Sequence, residues 1–213
     1  MFTKKDFYFS VFTGTGAGLI AWRIFNFLGF PGLVMATEGA VILSSVWLVL
    51  IVPILWIIGV NLGYFLGRYV GFFSQFGKFA AIGFTNAAVD FGVLNYLIFL
   101  SGITGGGYYS IFKTTSFLVA LINSYLLNKY WAFEAGRSSG GGIEFVKFAS
   151  VATVVLLLNV GVASYIVNSV SPMFGFTLEV WANVGAVAGA ASALILSFIG
   201  FKLLVFKTKV SLS

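Results

Sequence analysis

The sequence predicts an all-α membrane protein with six transmembrane helices and both termini in the cytoplasm. Three observations predict it. The chain of 213 residues is 60% hydrophobic and only 8% charged, with a mean hydropathy of +1.04, whereas soluble domains carry about 25% charged residues. Six segments reach the roughly 20 apolar residues that a helix needs to cross a hydrocarbon core of about 30 Å. One block of sequence also occurs twice, which groups four of the six spans into a duplicated core.

The spans follow in order. The first, about 7–29, comes after Lys4 and Lys5. It is longer than a signal-peptide core, and no clear small-residue cleavage site follows, so it reads as retained. The second, about 41–67, contains Pro53, which predicts a kink or a strong tilt. Its tail, 61–76, is rich in aromatic residues and is expected to lie along the interface. The remaining spans are about 78–101, 110–133, 146–168 and 180–204.

Charge orients them. Lys4, Lys5, Arg68, Lys78, Lys129, Arg137, Lys147, Lys202, Lys207 and Lys209 fall on one side; only Arg23 and Lys113 fall near the other. That bias puts both termini inside. Tyr108, Tyr109 and Trp181 are then expected in an outer aromatic belt, and Tyr130 and Trp131 in an inner one. The net charge of +6 comes from lysines and arginines at span ends, so it speaks for topology and against nucleic acid. Cysteine and histidine are absent. Thiol and imidazole chemistry are thereby removed, and a zinc or haem site is argued against.

The repeat aligns 76–98 with 145–167 without a gap, with seven of 23 positions identical. Phe76-x-Lys78-Phe79-Ala80 returns as Phe145-x-Lys147-Phe148-Ala149, and Gly92, Val93 and Tyr96 return as Gly161, Val162 and Tyr165. The residues 128–133 resemble 201–206. Residues 1–70 are thus an N-terminal two-helix extension and 71–209 a four-helix core, with repeat 1 at 76–133 and repeat 2 at 145–206. Units of two spans keep the same orientation, so the copies are expected to be parallel, about an axis along the membrane normal. They differ where Asn86 and Asp90 face Val155 and Asn159. Ser138-Ser139-Gly140-Gly141-Gly142 reads as a flexible linker between them.

Asp90 is the foremost candidate for function. It lies 12 residues past Lys78, about 18 Å along a helix, near mid-bilayer, where an Asp costs about 2.5–3.5 kcal/mol. Asn86 lies one turn before it and Gly83 one turn before that, on the same face. Such a face can hold a proton, a cation or a hydroxylated ligand; it can equally make a hydrogen bond between helices. On the fourth span Ser116, Ala120, Asn123 and Leu127 share a face, with Ser124 and Asn128 beside it; these can bind a sugar or phosphate, or join helices. Lys113 lies near the outer end, where a lysine snorkels. Arg23 follows Trp22 near the outer end of span one, as an interfacial anchor or a phosphate fork. Lys78 and Lys129 mark inner helix ends, where they would also attract an anionic head group. Gly14/Gly18 and Gly185/Gly189 are G-x-x-x-G pairs that predict close helix packing, within the bundle or between protomers. No motif for nucleotide, metal or nucleophilic catalysis is present.

Residues 76–206 resemble the GtrA-like family. The matching pieces are Phe76-x-Lys78-Phe79, Gly83-x-x-Asn86-x-x-x-Asp90, Asn123 with Asn128-Lys129-x-Trp131-x-Phe133, and Phe145-x-Lys147-Phe148. The resemblance implies a multipass protein of the cytoplasmic membrane that serves cell-surface polysaccharide synthesis. It would flip a polyprenyl-phosphate-linked sugar, or support a membrane glycosyltransferase that uses one. The extension has no counterpart in that pattern. The expectation is therefore a translocase and not an enzyme, without cofactor, in contact with membrane lipids and free to form a homo-oligomer. Asn86, Asp90, Asn123 and Asn128 would line the sugar's path, with Lys78 and Lys129 inside and Lys113 or Arg23 outside for the phosphate. A partner that recruits or stabilises a glycosyltransferase is the alternative, and a transporter of small solutes or cations working through Asp90, like the small multidrug-resistance transporters, is another.

Overall fold

The computed structural model describes residues 2–29, 45–127, 130–131 and 141–200. They form six helices and, among the described residues, no strand: α1 (Lys4–Phe27), α2 (Leu48–Leu66), α3 (Phe72–Ser101), α4 (Gly106–Leu127), α5 (Gly141–Ser169) and α6 (Leu178–Gly200). Four of them contain a stretch long and apolar enough to cross a membrane: Leu48–Leu66, Phe76–Ser101, Gly106–Leu127 and Ala149–Ser169. The protein is a multipass membrane protein. Residues 41–44 of the second predicted span, Glu38, Asn128, Lys129, Arg137 and 201–206 lie outside the described residues.

The chain between the second and third spans departs from expectation. No interfacial helix covers 61–76. Instead α2 runs on to Leu66, turns cover most of 67–71, and α3 starts at Phe72. Glycine explains the tight hairpin. A Cβ on Gly63 would lie 2.9 Å from Gly77 Cα, and one on Gly77 would lie 2.9 Å from the Gly59 carbonyl oxygen. The two backbones touch where side chains would have held them apart. Of the expected linker, 138–140 lies outside the described residues, and Gly141 and Gly142 already belong to α5.

The helices keep the spacing of the sequence repeat. α5 begins 69 residues after α3, and α6 ends 73 residues after α4. By compactness, however, the chain divides elsewhere. One unit is Met1–Gly102 with Thr115–Arg137; the other is Ile103–Thr114 with Ser138–Ser213. The cut falls within α4.

In the first unit α1 packs against α2 and α3. Its buried face is Asp6, Ser10, Thr13, Gly14, Ala17 and Gly18, a stripe of three- and four-residue steps made of small and polar groups. Gly14 lies so close to the Pro53 backbone that no side chain fits, and a Cβ on Gly18 would lie 2.5 Å from the Leu48 carbonyl oxygen. This G-x-x-x-G pair is therefore the α1–α2 seam. α1 and α3 run parallel. Asp6 meets Lys78 near their starts, and Phe27 packs edge-on against Phe99 near their ends, with ring centroids 5.9 Å apart.

In the second unit the other G-x-x-x-G pair joins α5 to α6. A Cβ on Gly185 would lie 2.5 Å from Val167 Cγ2, and Gly189 sits against the Asn159 carbonyl. Tyr109 is fully buried and donates its hydroxyl to the Ala182 carbonyl at 2.8 Å. Trp181 is buried and donates Nε1 to the Val170 carbonyl at 2.9 Å. Neither belongs to an exposed aromatic belt, because each polar edge finds a backbone acceptor inside the protein. Tyr108 is exposed.

Candidate functional site

The polar residues of α3 and α4 meet as two rungs. Helical spacing puts Asn86 one turn before Asp90 on α3. Asp90 is buried and accepts a hydrogen bond of 2.5 Å from the hydroxyl of Ser116, itself fully buried. Asn86 Oδ1 accepts one of 2.7 Å from Asn123 Nδ2. Three of the predicted polar residues are thus joined as partners, with Ser116 as the fourth.

The second repeat lacks the Asp90 rung. Asn159 takes the place of Asp90, and its neighbour on α6 is Gly189, which has no hydroxyl to offer. Asn159 is buried, and its Oδ1 has no hydrogen-bond partner among the described residues.

Two clefts open along α1. One, of about 700 Å³, is walled by α1 from Tyr8 to Ile20, by Thr85 and Val89 of α3, and by Asn123 and Leu127 of α4. The other, of about 690 Å³, lies between α1 from Leu19 to Phe27 and α3 from Val89 to Phe99. They share Leu19, Ile20 and Val89, so they lie end to end along α1 and together make a two-part furrow. Its ends, Tyr8 and Phe27, are 19 residues apart, about 28 Å along a helix and close to the roughly 30 Å of a bilayer core. Polar groups occur along its whole length: Thr13, Thr15, Thr85 and Asn123 in the first cleft, Arg23, Asn26, Asn95 and Tyr96 in the second.

Asp90 lines neither cleft. Asn123 does, with Asn86 held behind it. Arg23 is exposed at the far end of the furrow, its guanidinium 5.8 Å from the Trp22 ring centroid. Lys113 is fully buried on α4, one turn before Ser116. Asn128 and Lys129 lie outside the described residues.

Lys78 is not the open basic end that the sequence led us to expect. It is buried, and its ammonium lies 2.8 Å from the carboxylate of Asp6, which is fully buried. Tyr64 Oη donates to the same carboxylate at 3.0 Å and Trp131 Nε1 at 3.1 Å. The Thr3 amide and hydroxyl donate two more bonds, at 3.0 and 2.8 Å, and the Asp6 amide donates back to Thr3 Oγ1 at 3.2 Å, which completes a capping box. Burial pushes this carboxyl's pKa upward, but the bonds from Lys78, Thr3 and Trp131 outweigh it and hold the value at about 2. Trp131, expected at an exposed inner interface, is fully buried, with Phe9 stacked on it at 5.4 Å.

Asp6 is the residue that sequence reasoning missed. A local signal was present, since Thr3-x-x-Asp6 before an apolar run is a helix-start pattern. Its tertiary partners, at positions 64, 78 and 131, have no sequence signature.

The family described as GtrA/DPMS, transmembrane domain, matches residues 78–206, more than half of the chain. The chain belongs to this family. No curated protein and no solved structure matches it. Membership makes this a membrane protein of polyprenyl-phosphate-sugar processes. The GtrA/DPMS stretch begins at Lys78 and includes Asn86, Asp90, Asn123 and Trp131, whereas α1, which walls the furrow, precedes it. The extension is therefore stitched onto family residues through Asp6.

Proposed function

We propose that this protein moves a polyprenyl-phosphate-linked sugar across the membrane, and that it does so without covalent chemistry. In this reading all six helices span and both termini are cytoplasmic. The Asp6 end is then inner and the Arg23 end outer. The lipid tail stays in the bilayer beside α1 while the sugar passes along the furrow.

The observation that carries this reading is the furrow's length together with the polar groups spaced along its mostly apolar walls. A hydroxyl taken from water into hydrocarbon without a partner costs about 4–8 kcal/mol, so a bare hexose faces a barrier on the order of 20 kcal/mol or more. Amides and hydroxyls spaced along a bilayer-long furrow replace part of the lost hydration. Asn123, anchored by Asn86, offers such a group in the inner half, and Asn26 and Tyr96 do so in the outer half. Lys78 is committed to Asp6, so it does not serve as the phosphate site in this reading. Asp90 is set back from the furrow and bonded to Ser116. We assign it to coupling, by taking up or releasing a proton, rather than to touching sugar.

The test is lipid-linked sugar transfer in reconstituted vesicles. Asn123→Leu is expected to slow transfer at least about tenfold while the protein still melts cooperatively. An unchanged rate would contradict the role of the furrow.

A further inference from the structure

Arg23 stands out on the furrow, and neither packing nor charge pairing within the described protein accounts for it. It is exposed, and no carboxylate among the described residues pairs with it. Among the described residues its ring partner is Trp22, whose face steadies the guanidinium from the side. It sits one turn before the end of α1, where an arginine that faces lipid still carries a desolvation cost.

The surrounding geometry is that of a receptor for an anion. α1 and α3 pack tightly where Gly92 meets Ile20, since a Cβ on Gly92 would lie 2.6 Å from Ile20 Cγ2. One turn beyond that crossing, Arg23 on α1 and Tyr96 on α3 both line the outer cleft. Asn26, one turn after Arg23, lines it too. Its Oδ1 accepts from Ser45 at 3.2 Å, which fixes the amide and leaves Nδ2 to donate. Phe27 packed against Phe99 limits the cleft at its far end. The cleft thus offers donors: a guanidinium fork, an amide and a phenol. Leu19, Tyr96 and Phe99 are exposed apolar surface on its walls.

We propose that this cleft binds the phosphate of a lipid, with Arg23 gripping two phosphate oxygens and the lipid chain lying along Leu19 and Phe99. A planar fork matches phosphate bidentately, and a charge-assisted pair of this kind is the strong form of hydrogen bond. The inference rests on the translocation reading and deepens it. It assigns the phosphate-binding residue to the N-terminal extension, outside the family stretch that begins at residue 78.

The experiment measures binding of dodecyl phosphate to the full-length protein in a non-ionic detergent, with inorganic phosphate and dodecanol as the other arms. Wild type is expected to bind dodecyl phosphate and to ignore both controls. Arg23→Gln should weaken that binding about tenfold or more, and Arg23→Lys by less, because it keeps the charge and loses the fork. Arg23 is exposed, so neither variant disturbs the core. Equal affinity in wild type and Arg23→Gln would overturn the proposal. Inorganic phosphate binding as tightly as dodecyl phosphate would overturn the assignment to a lipid. No transport is read in detergent. Asn123→Leu that loses transfer but keeps dodecyl phosphate affinity supports both claims. Asn123→Leu that transfers normally, beside an Arg23→Gln that cannot bind, supports this site alone.

Discussion

Asp6 and Lys78 form a buried ion pair of 2.8 Å that fastens the N-terminal extension to the first residue of the family stretch. Tyr64 from α2 and Trp131 from beyond α4 close on the same carboxylate. Four segments therefore meet at one group. Removing one partner leaves the other charge buried and unpaired, which costs about 3–5 kcal/mol. Asp6→Ala should lower the unfolding midpoint in detergent markedly. Asp6→Leu combined with Lys78→Met should recover part of the loss, because no lone charge remains. A double variant no more stable than Asp6→Ala would contradict the ion-pair account.

The same carboxyl makes stability depend on pH. Its folded pKa, about 2, lies below the ordinary value of 3.8. As pH falls, the unfolded chain takes up the proton first. The contribution is complete above about pH 4 and is lost as pH falls toward 2. Melting curves of wild type and Asp6→Asn, taken from pH 6 to pH 2, should converge below pH 4. Parallel curves across that window would show that Asp6 is not the titrating group.

Glycine positions divide cleanly. At Gly14 and Gly18 an added Cβ meets the α2 backbone, and at Gly189 it meets the α5 backbone. Alanine at any of these should destabilise by about 1–3 kcal/mol through overpacking. Gly16 has no atom within 4 Å of an added Cβ, so Gly16→Ala should be neutral or stabilise by up to about 1 kcal/mol from helix propensity. Thermal unfolding of the four variants checks the pattern.

Ser116 gives Asp90 a donor in the interior. Ser116→Ala should cost about 1–3 kcal/mol. In the coupling role proposed above, Asp90→Asn keeps the fold and abolishes transfer, since it cannot exchange a proton. Full transfer by Asp90→Asn would remove that role.

Much of this was legible in the chain. The 69-residue offset reappears in the starts of α3 and α5. The sequence places Asn86 on a face with Asp90 and Asn123 on a face with Ser116, and the two faces meet: Asn123 bonds Asn86 and Ser116 bonds Asp90. Both G-x-x-x-G pairs are seams between neighbouring helices. What escaped is tertiary. Tyr109, Trp131 and Trp181 lie near span ends, which suggests an interfacial belt. Only packing reveals that their polar edges turn inward, to Ala182, Asp6 and Val170. Lys78 reads as a topology signal because its counter-ion lies 72 positions away. The furrow depends on α1 lying beside α3, and no pattern within either helix encodes that pairing.

The most direct test of the furrow is to fill it. Gly16 lines the first cleft and has open space above its Cα, so a large side chain there enters the furrow without disturbing the α1–α2 seam. Transfer of a polyprenyl-phosphate-linked sugar should be measured in vesicles holding equal amounts of wild type and Gly16→Trp, with melting curves on both. The account predicts an intact fold and transfer reduced at least about tenfold. Wild-type transfer by a folded Gly16→Trp protein would contradict it.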